Sequence, residues 1–119
     1  MKKIYVIQEH HARNLHWDLR LEKGMVLKSW AVPKTPPRKK GLKRLAVEVT
    51  DHAKSYAKFE GEIEEGYGKG TVKIWDKGTY DLEEWEKNKI LITIHGEKLK
   101  GDYALIRMKD SKNWLLFKR

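Results

Sequence analysis

The chain has 119 residues, no cysteine, 26 Lys and Arg against 17 Asp and Glu, and a formal net charge of +9 at pH 7. That length suits one domain, residues 1–119, with its own core; the missing cysteines exclude a disulfide framework, thiolate metal sites and cysteine nucleophiles, and leave the cytoplasm as the default compartment. The basic excess points to a polyanion, with nucleic acid ahead of a merely soluble Lys- and Glu-rich surface, while the lack of any ~20-residue apolar run or signal-peptide pattern argues against membrane and secretion.

Short alternating or apolar runs, many separated by Gly or Pro, predict a mainly-β chain: a compact eight-stranded closed or nearly closed β-barrel with one or two short helices. Strands are predicted near Ile4 to Gln8, His16 to Glu22, Met25 to Val32, Arg44 to Thr50, Thr71 to Trp75, Ile90 to His95, Tyr103 to Met108 and Trp114 to Phe117. Lys23-Gly24, Lys77-Gly78 and Lys100-Gly101 are predicted to be tight turns, each with Gly where φ > 0 is needed. Between strands, PKTPPRKKGLKR (Pro33 to Arg44) reads as a basic surface loop, either a solvated linker or an arm that tracks a phosphate backbone. Asp51 to Phe59 reads as a short helix capped by Asp51, with Tyr56 and Phe59 on one side. Leu82 to Asn88 reads equally as a strand end or a helical turn. The glycine run GYGKG (Gly66 to Gly70) lacks the Walker spacing and a following helix, so it is predicted to be a turn rather than a phosphate cradle.

The densest set of functional side chains is QEHHARNLHWDLRLE, from Gln8 to Glu22. In an extended segment Trp17, Leu19 and Leu21 share one face, and His16, Asp18, Arg20 and Glu22 share the other. A buried or barrel-lining row of this kind needs pairing or a ligand. An inert, exposed polar face is the alternative. His10, six residues before His16 and across a loop, can turn back to complete a two-His, one-carboxylate set suited to Mn, Fe or Zn; His11 reads as a surface residue. In RLAVEVTDHAKSY, Leu45, Val47 and Val49 form one face and leave Arg44 on the other, with His52 and Tyr56 four residues apart on the following turn. Arg44, His52 and Tyr56 can reach one pocket and offer a bidentate cation, a titratable ring and a hydroxyl. Each alone is as well explained by an ordinary surface or packing role.

These segments, with WAVPK, FEGEI, GYGKGTVKIWDKG, KGDYALIR and WLLFK, run in order over nearly the whole chain and resemble the 3′-phosphoesterase domain of bacterial DNA ligase D, which also exists as stand-alone archaeal and bacterial proteins. The resemblance implies a compact barrel and a divalent metal, usually Mn²⁺ with Zn²⁺ or Co²⁺ as alternatives. It also implies phosphodiesterase and phosphomonoesterase action on 3′ ends of DNA or RNA-tipped strands, beside a separate ligase or polymerase of end joining. By the same resemblance His10, His16 and Asp18 are metal ligands; Arg20, Arg44, His52 and Tyr56 hold the scissile phosphate or assist the transition state; Gln8 is a supporting polar residue. A monomer is expected. Larger family members carry an N-terminal arm with further charged residues near the site, so this sequence is expected to cleave phosphodiesters better than terminal phosphates. Two other classes stand beside this reading: a non-enzymatic nucleic-acid-binding barrel, which leaves the His and Asp row unexplained, and a non-haem Fe(II) oxygenase, for whose co-substrate 119 residues leave little room.

Overall fold

Apolar side chains recur at every second residue in most of the strands, and one continuous sheet curled on itself buries all those faces at once. The computed structural model describes residues 2–66 and 69–119. Its strands are β1 (Lys3–His11), β2 (Leu15–Lys23), β3 (Val26–Val32), β4 (Lys43–Ala53), β5 (Gly61–Ile63), β6 (Gly70–Trp85), β7 (Lys89–His95), β8 (Lys100–Arg107) and β9 (Asn113–Lys118). Their order is β1-β2-β3-β4-β9-β8-β7-β6-β5, and β1 also pairs with β6. Eight strands thus close an antiparallel barrel, while β5 lies along the start of β6 as a short flap. Tyr5, Ile7, Leu19, Leu21, Trp30, Ile92, Tyr103, Trp114 and Leu116 are among the side chains that fill the interior. Among the described residues the one helical element is a 3₁₀ turn, Lys54–Lys58. No helix of the described residues is long and apolar enough to cross a membrane.

Several local expectations change. Lys23-Gly24 does reverse the chain, with Gly24 at φ +62°. Lys77-Gly78, expected to turn, lies inside the 16-residue β6, which also settles Leu82 to Trp85 as strand. Gly78 is needed there for close approach, because a Cβ on it would overlap the His95 carbonyl. Lys100-Gly101 opens β8, and the reversal falls earlier, where Gly96 N–H donates to Leu99 O at 3.0 Å. Asp51 caps no helix: β4 continues to Ala53, so His52 is a strand residue and only the 3₁₀ turn follows. The Leu45–Val47–Val49 face points outward, with Leu45 and Val49 both 39% exposed. Small Ala46 takes the inner position opposite bulky Trp114, because the tryptophans leave no room for larger neighbours. The glycine-run turn falls partly on residues 67 and 68, which lie outside the described residues.

The β7–β8 reversal hangs on one buried carboxylate. Asp76 accepts Glu97 and Lys98 N–H groups on Oδ1 and the Leu99 N–H and Tyr5 hydroxyl on Oδ2, at 2.7–3.0 Å. Burial pushes this carboxyl up, and the four donors outweigh it and hold it below the ordinary range. A depressed carboxyl contributes stability that is complete above the unfolded value of about 3.9 and is lost as pH falls through the folded one. Asp76→Asn puts an amide where only acceptors fit, and it is expected to cost about 2 kcal/mol in urea unfolding at neutral pH.

The basic loop is anchored rather than free. Pro36 and Pro37 are buried, Tyr103 Oη donates to Pro37 O at 2.7 Å, and Arg44 Nε donates to Thr35 O at 2.8 Å. Lys34, Arg38, Lys39 and Lys40 remain exposed on it.

Candidate metal centre

Strand alternation sends Ile7, Leu19, Leu21 and Trp30 into the barrel, so their neighbours Gln8, Arg20 and Ser29 face outward. The polar row therefore lies on the outer surface and does not line the barrel. It is nonetheless buried: Gln8 is 0%, Arg20 4%, and His10 and Asp18 each 7% exposed. Chain following β4 folds back over it. Gln8 fixes that cover, since its Nε2 donates to Tyr56 O at 2.8 Å and Phe59 O at 3.1 Å. Above the row, the Tyr56 ring stacks between His52 and Phe59, with centroids at 4.4 and 5.1 Å.

Register assembles the cluster. His10 lies directly across from His16, and Gln8 across from Asp18, on the β1–β2 hairpin. His10 thus arrives on a paired strand rather than by a returning loop. His16 Nε2 is 3.3 Å from Asp18 Oδ1, and His10 Nδ1 is 3.7 Å from Asp18 Oδ2. One ligand atom from each of the three lies within 4.8 Å of the others. Donors sharing one ion at about 2.1 Å sit roughly 3–3.4 Å apart, so modest side-chain adjustment lets these three hold one. His16 Nδ1 contacts Asn14 O at 3.1 Å; an N–H there turns Nε2 toward the carboxylate, the outer-shell arrangement usual for a metal-binding imidazole. Two imidazoles and one carboxylate suit Mn, Fe or Zn with open positions for water and substrate.

Arg20 braces this group. Its Nε donates to Gln8 Oε1, Nη1 to Ser29 Oγ at 2.8 Å and Nη2 to Asp18 Oδ2 at 3.4 Å, and its guanidinium lies 4.8 Å from the Tyr56 ring centre. Burial lowers its pKa while the Asp18 charge opposes the shift. Ser29 was not anticipated. Its only signal was a small polar residue in the apolar run VLKSWAV, opposite Arg20 across β2 and β3.

Of the residues singled out from the sequence, the structure brings together Gln8, His10, His16, Asp18, Arg20, His52 and Tyr56. It places Arg44 elsewhere, eight residues before His52 along β4, roughly 25 Å of extended chain, on the inner side opposite Leu116 and bonded to the basic loop. His11 is turned to Glu9 on the exposed edge.

The two flanking histidines are shifted in opposite directions. Hydrogen bonding to Asp18 raises His16 against the pull of burial. Burial and then the Arg20 charge lower His52. Burial also raises the Tyr56 hydroxyl, so it stays protonated at neutral pH. In metal-free protein His52 is expected to titrate below, and His16 above, the ordinary imidazole value of about 6.5. Histidine ring signals followed by NMR against pH check this; a His52 midpoint at or above that value contradicts the burial and charge described.

A closed barrel that carries on its outer wall a two-histidine, one-carboxylate cluster able to hold a metal ion, braced by a buried arginine, defines a class of small β-barrels with a candidate metal centre. Within it the chain belongs to the DNA ligase D 3′-phosphoesterase domain family, whose pattern its residues 8–107 match. It is 48% identical over 123 residues to the multifunctional non-homologous end joining protein LigD of Mycolicibacterium smegmatis, covering 93% of this chain and 16% of that protein. It is 47% identical over 116 residues to the multifunctional non-homologous end joining DNA repair protein LigD of Mycobacterium tuberculosis H37Rv (93% and 15%). To the Pseudomonas aeruginosa LigD it is 45% identical over 123 residues (96% and 15%). The chain thus spans about one-sixth of the length of these curated relatives.

Proposed function

We propose that this chain is a divalent-metal-dependent 3′-end phosphoesterase that removes 3′-terminal ribonucleosides and 3′-phosphates from nucleic-acid ends during end-joining DNA repair. The observation that carries the reading is the meeting of His10, His16 and Asp18 on one face of the β1–β2 hairpin, in a member of a 3′-phosphoesterase family. These three residues would hold the ion, with Mn²⁺ as first candidate and Zn²⁺ or Co²⁺ as alternatives. When bound, it supplies Lewis-acid polarisation of a phosphoryl oxygen and a more acidic water. Arg20 keeps the Asp18 carboxylate oriented and ionised, and adds positive charge beside the reacting phosphate. His52, neutral at pH 7, offers an N–H to a phosphoryl oxygen, and the protonated Tyr56 hydroxyl helps orient the same group. The exposed Lys34, Arg38, Lys39 and Lys40 of the basic loop, which Arg44 anchors through Thr35 O, hold the phosphate backbone behind the end. The enzyme acts as a cytoplasmic monomer and hands its product to a ligase or polymerase.

The test is a 5′-labelled primer-template ending in one ribonucleotide, incubated with protein and Mn²⁺ and followed by end-group analysis. Loss of the terminal ribonucleoside, then of the 3′-phosphate left behind, is the expected course. Unchanged ends with Mn²⁺, Zn²⁺ and Co²⁺ in turn would overturn the reading.

A further inference from the structure

At the end of the barrel bearing the β2–β3 turn, three tryptophans meet. Trp30 lies 5.8 Å from Trp114 in an edge-on arrangement and 6.3 Å from Trp85. They line a cavity of about 480 Å³ whose wall also carries Lys23, Lys28, Lys87 and Arg107 against Glu48, Asp51 and Glu86. Lys23 Nζ lies 4.8 Å from the Trp85 ring centre, and the Arg107 guanidinium 5.7 Å from that of Trp114. Trp114 Nε1 donates to Glu48 Oε1 at 3.0 Å. The Trp30 N–H, on a side chain only 1% exposed, has no acceptor among the described residues.

This mouth and the metal cluster are back to back on the same strands. Ser29 faces outward to Arg20, and the next residue, Trp30, faces the mouth. His52 stands beside the cluster's aromatic stack, while Asp51 pairs with Lys28 at the rim at 3.0 Å. From Arg20 to Lys23 is three strand residues, roughly 10 Å.

We propose that the tryptophan-lined mouth is a second nucleic-acid subsite, which takes a nucleobase of the strand whose 3′ end lies at His10, His16 and Asp18. It rests on the reading of that cluster as a 3′-end site. A base combines a flat π face for Trp85 with carbonyl and ring-nitrogen acceptors for the Lys23, Lys28 and Arg107 donors of the wall; a lipid chain or a bare phosphate lacks one or both. Stacking on Trp85 displaces Lys23, and the freed ammonium turns to the strand's phosphates.

Equilibrium anisotropy with a 5′-labelled single-stranded oligonucleotide in EDTA, where no cleavage intervenes, tests the proposal. Trp85→Ala is expected to weaken binding roughly 5- to 150-fold, the range measured for one base–aromatic stack. One abasic residue, stepped through the nucleotides next to the 3′ end, is expected to weaken parent binding similarly at one position and to add nothing in Trp85→Ala. Tight binding by Trp85→Ala, or an abasic scan of the parent without a sensitive position, overturns the proposal. So does a nucleoside monophosphate that binds the parent as tightly as the strand, since that identifies a free-nucleotide pocket. The scan uses the parent protein, so poor folding of a variant does not block the test. Trp85-dependent binding by a parent that cleaves no 3′ end would sink the 3′-end reading instead.

Discussion

Asp18→Asn is expected to remove nearly all cleavage of a ribonucleotide-ended primer while leaving a folded barrel. The Asp18 carboxylate is the hub of the cluster, facing His16 with one oxygen and His10 and Arg20 with the other. An amide keeps the volume but replaces one ligand oxygen by a nitrogen that cannot bind a cation, and removes the only negative charge in the set. Losing an outer-shell partner costs metal sites roughly 10–100-fold, and losing a direct ligand costs more. His16→Ala leaves a two-donor site and is expected to fail to a similar degree. Activity at half the parent rate or better in either folded variant, with Mn²⁺ bound normally in a calorimetric titration, contradicts the ligand set.

Arg20→Ala is the change expected to cost most stability. Its guanidinium is buried, and its removal strands the Asp18 carboxylate without its cation and the Gln8 amide oxygen without a donor, while the Ser29 hydroxyl keeps only its bond to Leu27 O. Breaking a buried pair from one side typically costs 3–5 kcal/mol, and urea unfolding in EDTA reads it directly. The metal supplies a diagnostic second arm. An ion bound at His10, His16 and Asp18 restores a counter-charge to the carboxylate, and a ligand at 100 times its Kd adds about 2.7 kcal/mol. Saturating Mn²⁺ is therefore expected to recover a large part of the lost stability and little of the activity. If Arg20 served only as an exposed phosphate contact, the metal-free protein would lose almost nothing.

The barrel was legible because most of its strands alternate: Trp17, Leu19 and Leu21 alternating with His16, Asp18 and Arg20 yields both a core face and a polar row. What alternation alone does not reveal is the sense of a face. Leu45 and Val49 look like core by hydropathy, but interior volume is set across the barrel, and Trp114 opposite leaves space for Ala46 alone. Nor do local rules distinguish a glycine that turns from one that admits another strand, so Gly24 behaved as expected and Gly78 did not. The candidate cluster was readable as far as the residues travel on one hairpin. Ser29 and the outward placement of the row depend on long-range register, and Arg44 belongs to a different part of β4 from the one its sequence neighbours His52 and Tyr56 suggest.

The segment that covers the cluster contributes no fully buried side chain of its own from Lys54 to Lys58, and Gln8 Nε2 joins two carbonyls, of Tyr56 and Phe59, to the barrel wall. The strands beneath it belong to a ring without a free end. Cooperativity is therefore unevenly divided: backbone amides of the cover can open in small local fluctuations, whereas those of β1 and β2 at the interior face open only with the whole barrel. Deuterium uptake should separate into a fast class at Lys54–Lys58 and a slow class in the hairpin, and mild urea should abolish the proposed cleavage before circular dichroism records any loss of sheet. Operational robustness of the protein is then set by a five-residue turn rather than by its core.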